Sequence, residues 1–144
     1  MSCKQPVFIL LSVAGLIFIY FMVMMFIYKD EKVFITKDPL NYKLFNFNLF
    51  ENCCSGWPIS HFILFMILGF LYPNCWKIIL LLGIIWELIE VGFYYFRSSD
   101  RQWVRNSNNQ IEYSQNWWAG STKDIIFNFA GFGLGYLLSK TVKK

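Results

Sequence analysis

The sequence predicts an all-α fold, a polytopic integral membrane helical bundle of about four transmembrane helices, from three observations. The 144-residue chain is 56% hydrophobic and 21% aromatic, with 16 Phe, and only 15% charged. One soluble core of this size cannot hide so many large apolar side chains. Four apolar runs, at 7–28, 59–72, 75–96 and 124–139, are separated by polar loops. The basic residues flank those runs rather than gather on one face, so the net charge of +4 reads as topological and lipid-facing. Nucleic-acid binding would need a clustered basic face with interleaved aromatics and is not expected.

Taken in order, the runs at 7–28 and 75–96 reach the roughly 20 helical residues needed to cross a hydrocarbon core of about 30 Å. The runs at 59–72 and 124–139 are shorter and must extend into their flanks or sit shielded by neighbours. The first run is longer than a secretory signal core and no small-x-small cleavage site follows it, so it reads as a retained anchor. The chain accordingly divides into an N-terminal anchor with an interfacial loop (1–58), a three-helix membrane core (59–139) and a basic tail (140–144). The stretch LNYKLFNFNLF at 40–50 mixes polar and apolar residues and suits the interface. Trp103, Trp117 and Trp118 fall in the second long loop, where indoles favour headgroup depth.

Four crossings would place the loops at 29–58 and 97–123 on one face, and the N-terminus, the PNC turn at 73–75 and the KTVKK tail on the other. The loop face carries 8 of the 13 basic residues and the other face 5; positive-inside counting then makes the long loops cytoplasmic. Cys3, Cys53, Cys54 and Cys75 show no C-x-x-C spacing, which argues against a zinc ribbon or redox motif. Cys53 and Cys54, being adjacent, are poor partners for each other, and the sequence leaves disulfides open.

The chemistry is concentrated near the loop face. Glu87 and Glu90 are three residues apart and share a helix face, at about 14 Å and 9 Å from the end of their run. A carboxylate at the centre of a membrane helix costs about 2.5–3.5 kcal/mol, and two on one face invite a cation, a shared proton or a polar substrate. In DIIFNFAGFGLGY, Asp124, Asn128, Gly131 and Gly135 form one stripe, polar at the loop end and small further in. His61 stands in the first turn of its run. His61, Glu87, Glu90, Asp124 and Asn128 therefore converge at one depth from three helices. Simpler readings stand beside each: His61 as an interfacial hydrogen-bonder, Asp124 as a helix N-cap, Asn128 and the glycines as packing glue. Three carboxylates with an Asn oxygen form a hard-oxygen set suited to Ca²⁺ or Mg²⁺, whereas a single His makes zinc a poor candidate. A cation at headgroup depth would meet a lipid phosphate, and His61 or a glutamate would move a proton from an attacking hydroxyl.

ISHF at 59–62, WELIE at 86–90, NWWAGSTKD at 116–124 and the Asn/Gly-rich helix that follows resemble the core of the eukaryotic-type phosphatidylserine synthases. These are Ca²⁺-dependent base-exchange enzymes that replace a choline or ethanolamine headgroup with serine. The resemblance covers about residues 57–139 in the same order, with fewer helices than full-length members have. It implies a transferase of phospholipid metabolism whose catalytic residues are His61, Glu87, Glu90 and Asp124. Glu87, Glu90, Asp124 and Asn128 would hold Ca²⁺, and Trp117, Trp118 and Asn128 would meet substrate. It implies membrane lipids and serine or another headgroup alcohol as partners, and the endoplasmic reticulum as location; an oligomer or larger membrane complex is compatible with it. The chain departs from the family at Gln115 and Ala119, where the family has acids, and Asn128 lies one position from the family's Asn. A second resemblance is to small VanZ-like membrane proteins, in which W-E-x-x-E is followed by D-x-x-x-N-x-x-G. DIIFNFAG fits that spacing directly, and implies a non-enzymatic protein holding a structural ion or a lipid.

Overall fold

The computed structural model describes residues 3–27, 39–41, 56–96, 104–105, 111–112 and 122–142. Four helices make up nearly all of it: α1 (Lys4–Ile27), α2 (Gly56–Leu71), α3 (Trp76–Phe96) and α4 (Thr122–Val142). Short 3₁₀ turns lie at Pro39–Asn41 and Pro73–Cys75, and two-residue strands β1 (Val104–Arg105) and β2 (Ile111–Glu112) pair antiparallel. The all-helical architecture agrees with the sequence. Both short runs extend into their flanks. α4 gains residues at each end and reaches 21 residues, while α2 starts at Gly56 yet stops at 16.

Proline explains where α2 stops. Pro6 and Pro58 sit in the first turns of α1 and α2, where a missing N–H costs nothing. Pro73 instead excludes the helical region for Tyr72 before it, whose φ and ψ are −129° and 55°. The backbone turns through a 3₁₀ segment closed by Cys75 N–H donating to the Tyr72 carbonyl at 3.0 Å. α3 then leaves at 113° to α2.

This bend changes the expected count of crossings. Among the described residues two helices, Lys4–Met24 and Asp124–Val142, are long and apolar enough to cross a membrane, and the bent pair Gly56–Leu71 with Pro73–Gly92 raises the count to three if taken as one broken span. Four independent crossings are not what these helices present. Sixteen residues rise only about 24 Å, short of the hydrocarbon core, and the turn at Pro73 removes the option of extension.

The best-packed part of the molecule is the α2–α4 pair. Gly131 lies against the Phe62 carbonyl, Gly135 against the Met66 carbonyl and Gly69 against the Phe132 carbonyl, each so close that a Cβ there would overlap the facing backbone. The Gly131–Gly135 stripe read from the sequence is thus the seam of a backbone-to-backbone contact. Phe62 and Phe127 meet edge-to-face alongside it, with ring centroids 6.3 Å apart. Cys75 at the end of the 3₁₀ turn and Ile79, Gly83 and Glu87 on α3 follow in a stripe at steps of four residues, all buried. Phe65, Leu68, Cys75, Ile79 and Phe132 form the small apolar core.

α1 is attached differently. A disulfide joins Cys3 to Cys75 at one end, a pairing the sequence left open. At the other, Phe21 and Tyr20 contact Trp57, with ring centroids at 5.5 Å and 6.4 Å. Among the described residues of α1 only Pro6 and Phe21 are buried; outward residues such as Phe8 and Phe26 are 72% and 86% exposed.

Candidate functional site

The polar residues of three helices meet just inside the start of α2. Asn128 on α4 is brought there by the glycine seam, because one helical turn separates it from Gly131 and the close backbone approach carries it towards α2. Glu87 on α3 arrives as the last member of the buried stripe. One turn before it, Gly83 leaves the space that the Phe65 ring and the Asn128 amide occupy; a Cβ there would come within 2.7 Å of Phe65 and 3.3 Å of Asn128 Nδ2.

At the centre is His61. Its Nδ1 lies 3.1 Å from Asn128 Oδ1 and 3.5 Å from Glu87 Oε1. Glu87 and Asn128 are almost wholly buried, at 2% and 3% exposure, while the His61 side chain keeps 13%. With the proton on Nδ1, the ring donates to Asn128 Oδ1, and Glu87 Oε1 lies at ion-pair distance from the same nitrogen. Nε2 then holds the lone pair, so the imidazole is oriented as a base, with a buried carboxylate placed to stabilise the imidazolium once it takes a proton. This is the role a carboxylate plays behind the histidine of a catalytic triad.

The remaining sequence candidates fall into two groups. Glu90 is half-buried one turn further along α3; it accepts a hydrogen bond from the Trp86 indole and lies within electrostatic reach of Glu87 and Asp124. Asp124 is half-buried in the first turn of α4. Trp117 and Trp118, with Gln115 and Ala119, lie outside the described residues.

The residues expected to hold calcium lie on α3 and α4. Glu87 Oε1 and Asn128 Oδ1, two of the four ligands expected from Glu87, Glu90, Asp124 and Asn128, both address the His61 imidazole. Among the described residues no group of three or more His, Cys, Asp or Glu is placed to hold a metal ion.

Beside His61 opens an apolar cavity of about 480 Å³ between α1, α2 and α3, within the range of pockets that bury small-molecule ligands. His61, Ser60 and Asn128 are its polar patch, and the walls are otherwise mostly Leu, Ile, Val and aromatic side chains. Sequence reasoning missed this cavity, together with Gly83, Trp86 and Trp57. The G-x-x-x-E spacing of Gly83 and Glu87 was the one signal available, since a small residue one turn from a membrane carboxylate makes room for its partner.

No protein-family model, no curated protein and no solved structure matches the chain.

Proposed function

We propose that this chain is a multi-pass integral membrane protein that carries out acid–base chemistry on a phospholipid, namely headgroup exchange or a related transfer at the lipid phosphodiester. The observation that carries the reading is the His61 imidazole, held at Nδ1 by Glu87 and Asn128 on the wall of an apolar cavity. The apolar walls suit the hydrocarbon part of a lipid, and the polar patch at His61 suits its headgroup end. In the reaction, His61 Nε2 takes the proton from the hydroxyl of an incoming serine, ethanolamine or choline. The hydroxyl oxygen forms a new bond to phosphorus, the bond from phosphorus to the old headgroup oxygen breaks, and the departing alcohol takes the proton back. Proton and charge balance at the end of each cycle. Glu87 stabilises the transient imidazolium, and Asn128 holds the ring orientation. Calcium is implied by the phosphatidylserine-synthase resemblance alone, and no step here is routed through it.

Topology is part of the same reading. The Cys3–Cys75 disulfide holds the 73–75 turn beside the start of α1, and a disulfide favours an oxidising compartment on that side. The long loops then face a reducing one, as the distribution of basic residues also favours. With the base-exchange resemblance, this orientation corresponds to an endoplasmic-reticulum protein whose site opens towards the cytoplasm.

The test is incorporation of labelled serine, ethanolamine or choline into phospholipid by purified protein in lipid nanodiscs, with and without Ca²⁺. Turnover that depends on His61 is expected. Wild-type protein inert towards all three bases overturns the exchange reading. The non-enzymatic VanZ-like reading would then take its place; it is favoured by the D-x-x-x-N-x-x-G residues serving the α2–α4 contact through Gly131.

A further inference from the structure

We infer that the cavity between α1, α2 and α3 is a binding site for one acyl chain of a membrane lipid, laid along α1 with its polar end at His61. The site names the part of the substrate that the reaction above does not touch, and so rests on that reading, but its test reads binding rather than turnover.

The cavity follows from how α1 is held. The helix is fastened by the Cys3–Cys75 disulfide at one end and by the Tyr20 and Phe21 contacts to Trp57 at the other. Among its described residues Pro6 and Phe21 are buried near those fastenings. Ile9 and Leu10 pack against the core, and from Leu10 to Tyr20 α1 borders the cavity together with α2 and α3. Along α1 the lining runs from Leu10 to Tyr20, a rise of about 15 Å, which is half of the roughly 30 Å hydrocarbon core. That is the depth of one leaflet, the length available to one acyl chain.

The lining also selects against other occupants. Leu10, Ile17, Leu64 and Leu82 offer only hydrocarbon, and among the described lining residues there is no Lys, Arg, Asp or Glu. An anionic headgroup finds no cation inside, and a polar small molecule would leave its hydrogen-bonding groups unpaired at a cost of about 1–3 kcal/mol each. A chain leaves nothing unpaired. Its carbonyl end would find Ser60, His61 and Asn128 together on the cavity wall, which fixes the direction in which the lipid lies and brings the phosphodiester to the imidazole. The disulfide and the aromatic contacts thereby act as spacers that keep the slot open.

The experiment uses purified full-length protein in nanodiscs containing a phosphatidylcholine with a photoreactive diazirine near the end of one acyl chain. After irradiation, crosslinked peptides are mapped by mass spectrometry. Labelling concentrated on residues 10–20 of α1 and on the facing parts of α2 and α3 is expected. Ala14→Phe and Ile17→Trp, which fill the slot, should each lower that labelling about fivefold or more, the lower end of an overpacking penalty. Gly15→Leu, on the exposed side of α1 with nothing within 4 Å, should leave it unchanged. Label spread evenly over outward residues such as Phe8 and Phe26, in the wild-type protein itself, overturns the site without relying on any variant. Headgroup exchange with no label in the slot would remove the acyl site and keep the proposed function. Label in the slot without exchange would remove the function and keep the site.

Discussion

The α2–α4 contact and the α1 contact are made by the same kind of apolar helix and could hardly differ more. Between α2 and α4 three glycines bring backbone against backbone, and little can move without opening the seam. Between α1 and its neighbours the helix is fastened near its ends and leaves a cavity of about 480 Å³. The first arrangement holds His61 and Asn128 at hydrogen-bond distance. The second leaves room beside that geometry for something apolar to enter. A site acting on a lipid needs both, since positioning requires rigid partners and access requires a gap.

The sharpest way to break this contrast is to place a side chain in the seam. Gly135→Leu must push its Cβ into the Met66 backbone, and a carbonyl cannot rotate away as a flexible side chain would. The helices have to separate, costing at least the 1–3 kcal/mol or so of an overpacked core, and the site is pulled apart with them. Loss of folded protein by size-exclusion profile and thermal melt, with no residual activity, is expected. A variant that melts like wild type would show that the seam is looser than its geometry implies.

A smaller effect is expected from changes within the site, which should spare the fold. Glu87→Gln and His61→Ala should each lower headgroup exchange by about 10²-fold, and the double variant should lose little more, because the two act as one unit. Glu87→Gln should leave thermal stability equal or higher, since it removes a charge that is costly to bury. Independent, additive losses measured in the exchange assay would separate the two residues mechanistically.

On the looser side, Cys3→Ser releases one fastening of α1. Removing a native disulfide commonly costs about 2–5 kcal/mol in small secreted domains. Here the seam is untouched, so a lowered melting temperature with the His61 geometry retained is expected. The same pair reports orientation: in sealed vesicles, a membrane-impermeant reductant and thiol reagent should modify Cys3 and Cys75 from the side opposite the long loops. Modification from the loop side would reverse the assigned topology.

The smallest effect belongs to Gly133→Ala. Gly133 lies in α4 between Gly131 and Gly135, yet nothing stands within 4 Å of a Cβ built there. Alanine should be neutral or stabilising by about 0.5–1 kcal/mol, the ordinary gain of replacing a helical glycine. A loss as large as that of Gly135→Leu would mean that position, rather than contact, governs the seam.

Much of this molecule could be read from residue order alone. Apolar run lengths predict the helices. Periodicity puts Asn128, Gly131 and Gly135 on one stripe, and the spacing of polar residues from helix ends brings His61, Glu87 and Asn128 to one depth. These are local or one-dimensional properties, and a helix of known rise and pitch converts them directly into positions. The number of crossings was less legible, because it depends on the angle at which α3 leaves Pro73. Proline announces a break without setting that angle.

Other features depend on distances between segments far apart in the chain. The sequence shows four cysteines; only the folded chain brings Cys3 beside Cys75. It shows a set of polar oxygens; only packing brings Asn128 Oδ1 and Glu87 Oε1 to the same imidazole nitrogen. The cavity is the clearest case. A void is a property of what fails to touch, and no residue in α1 encodes it singly. By itself the sequence determined which side chains are apolar, which are polar and at what depth each lies, because helix geometry is nearly independent of context. Only the tertiary structure decided which of them meet, because that is set by the fastenings at both ends of α1 and by how closely glycine lets α2 and α4 approach.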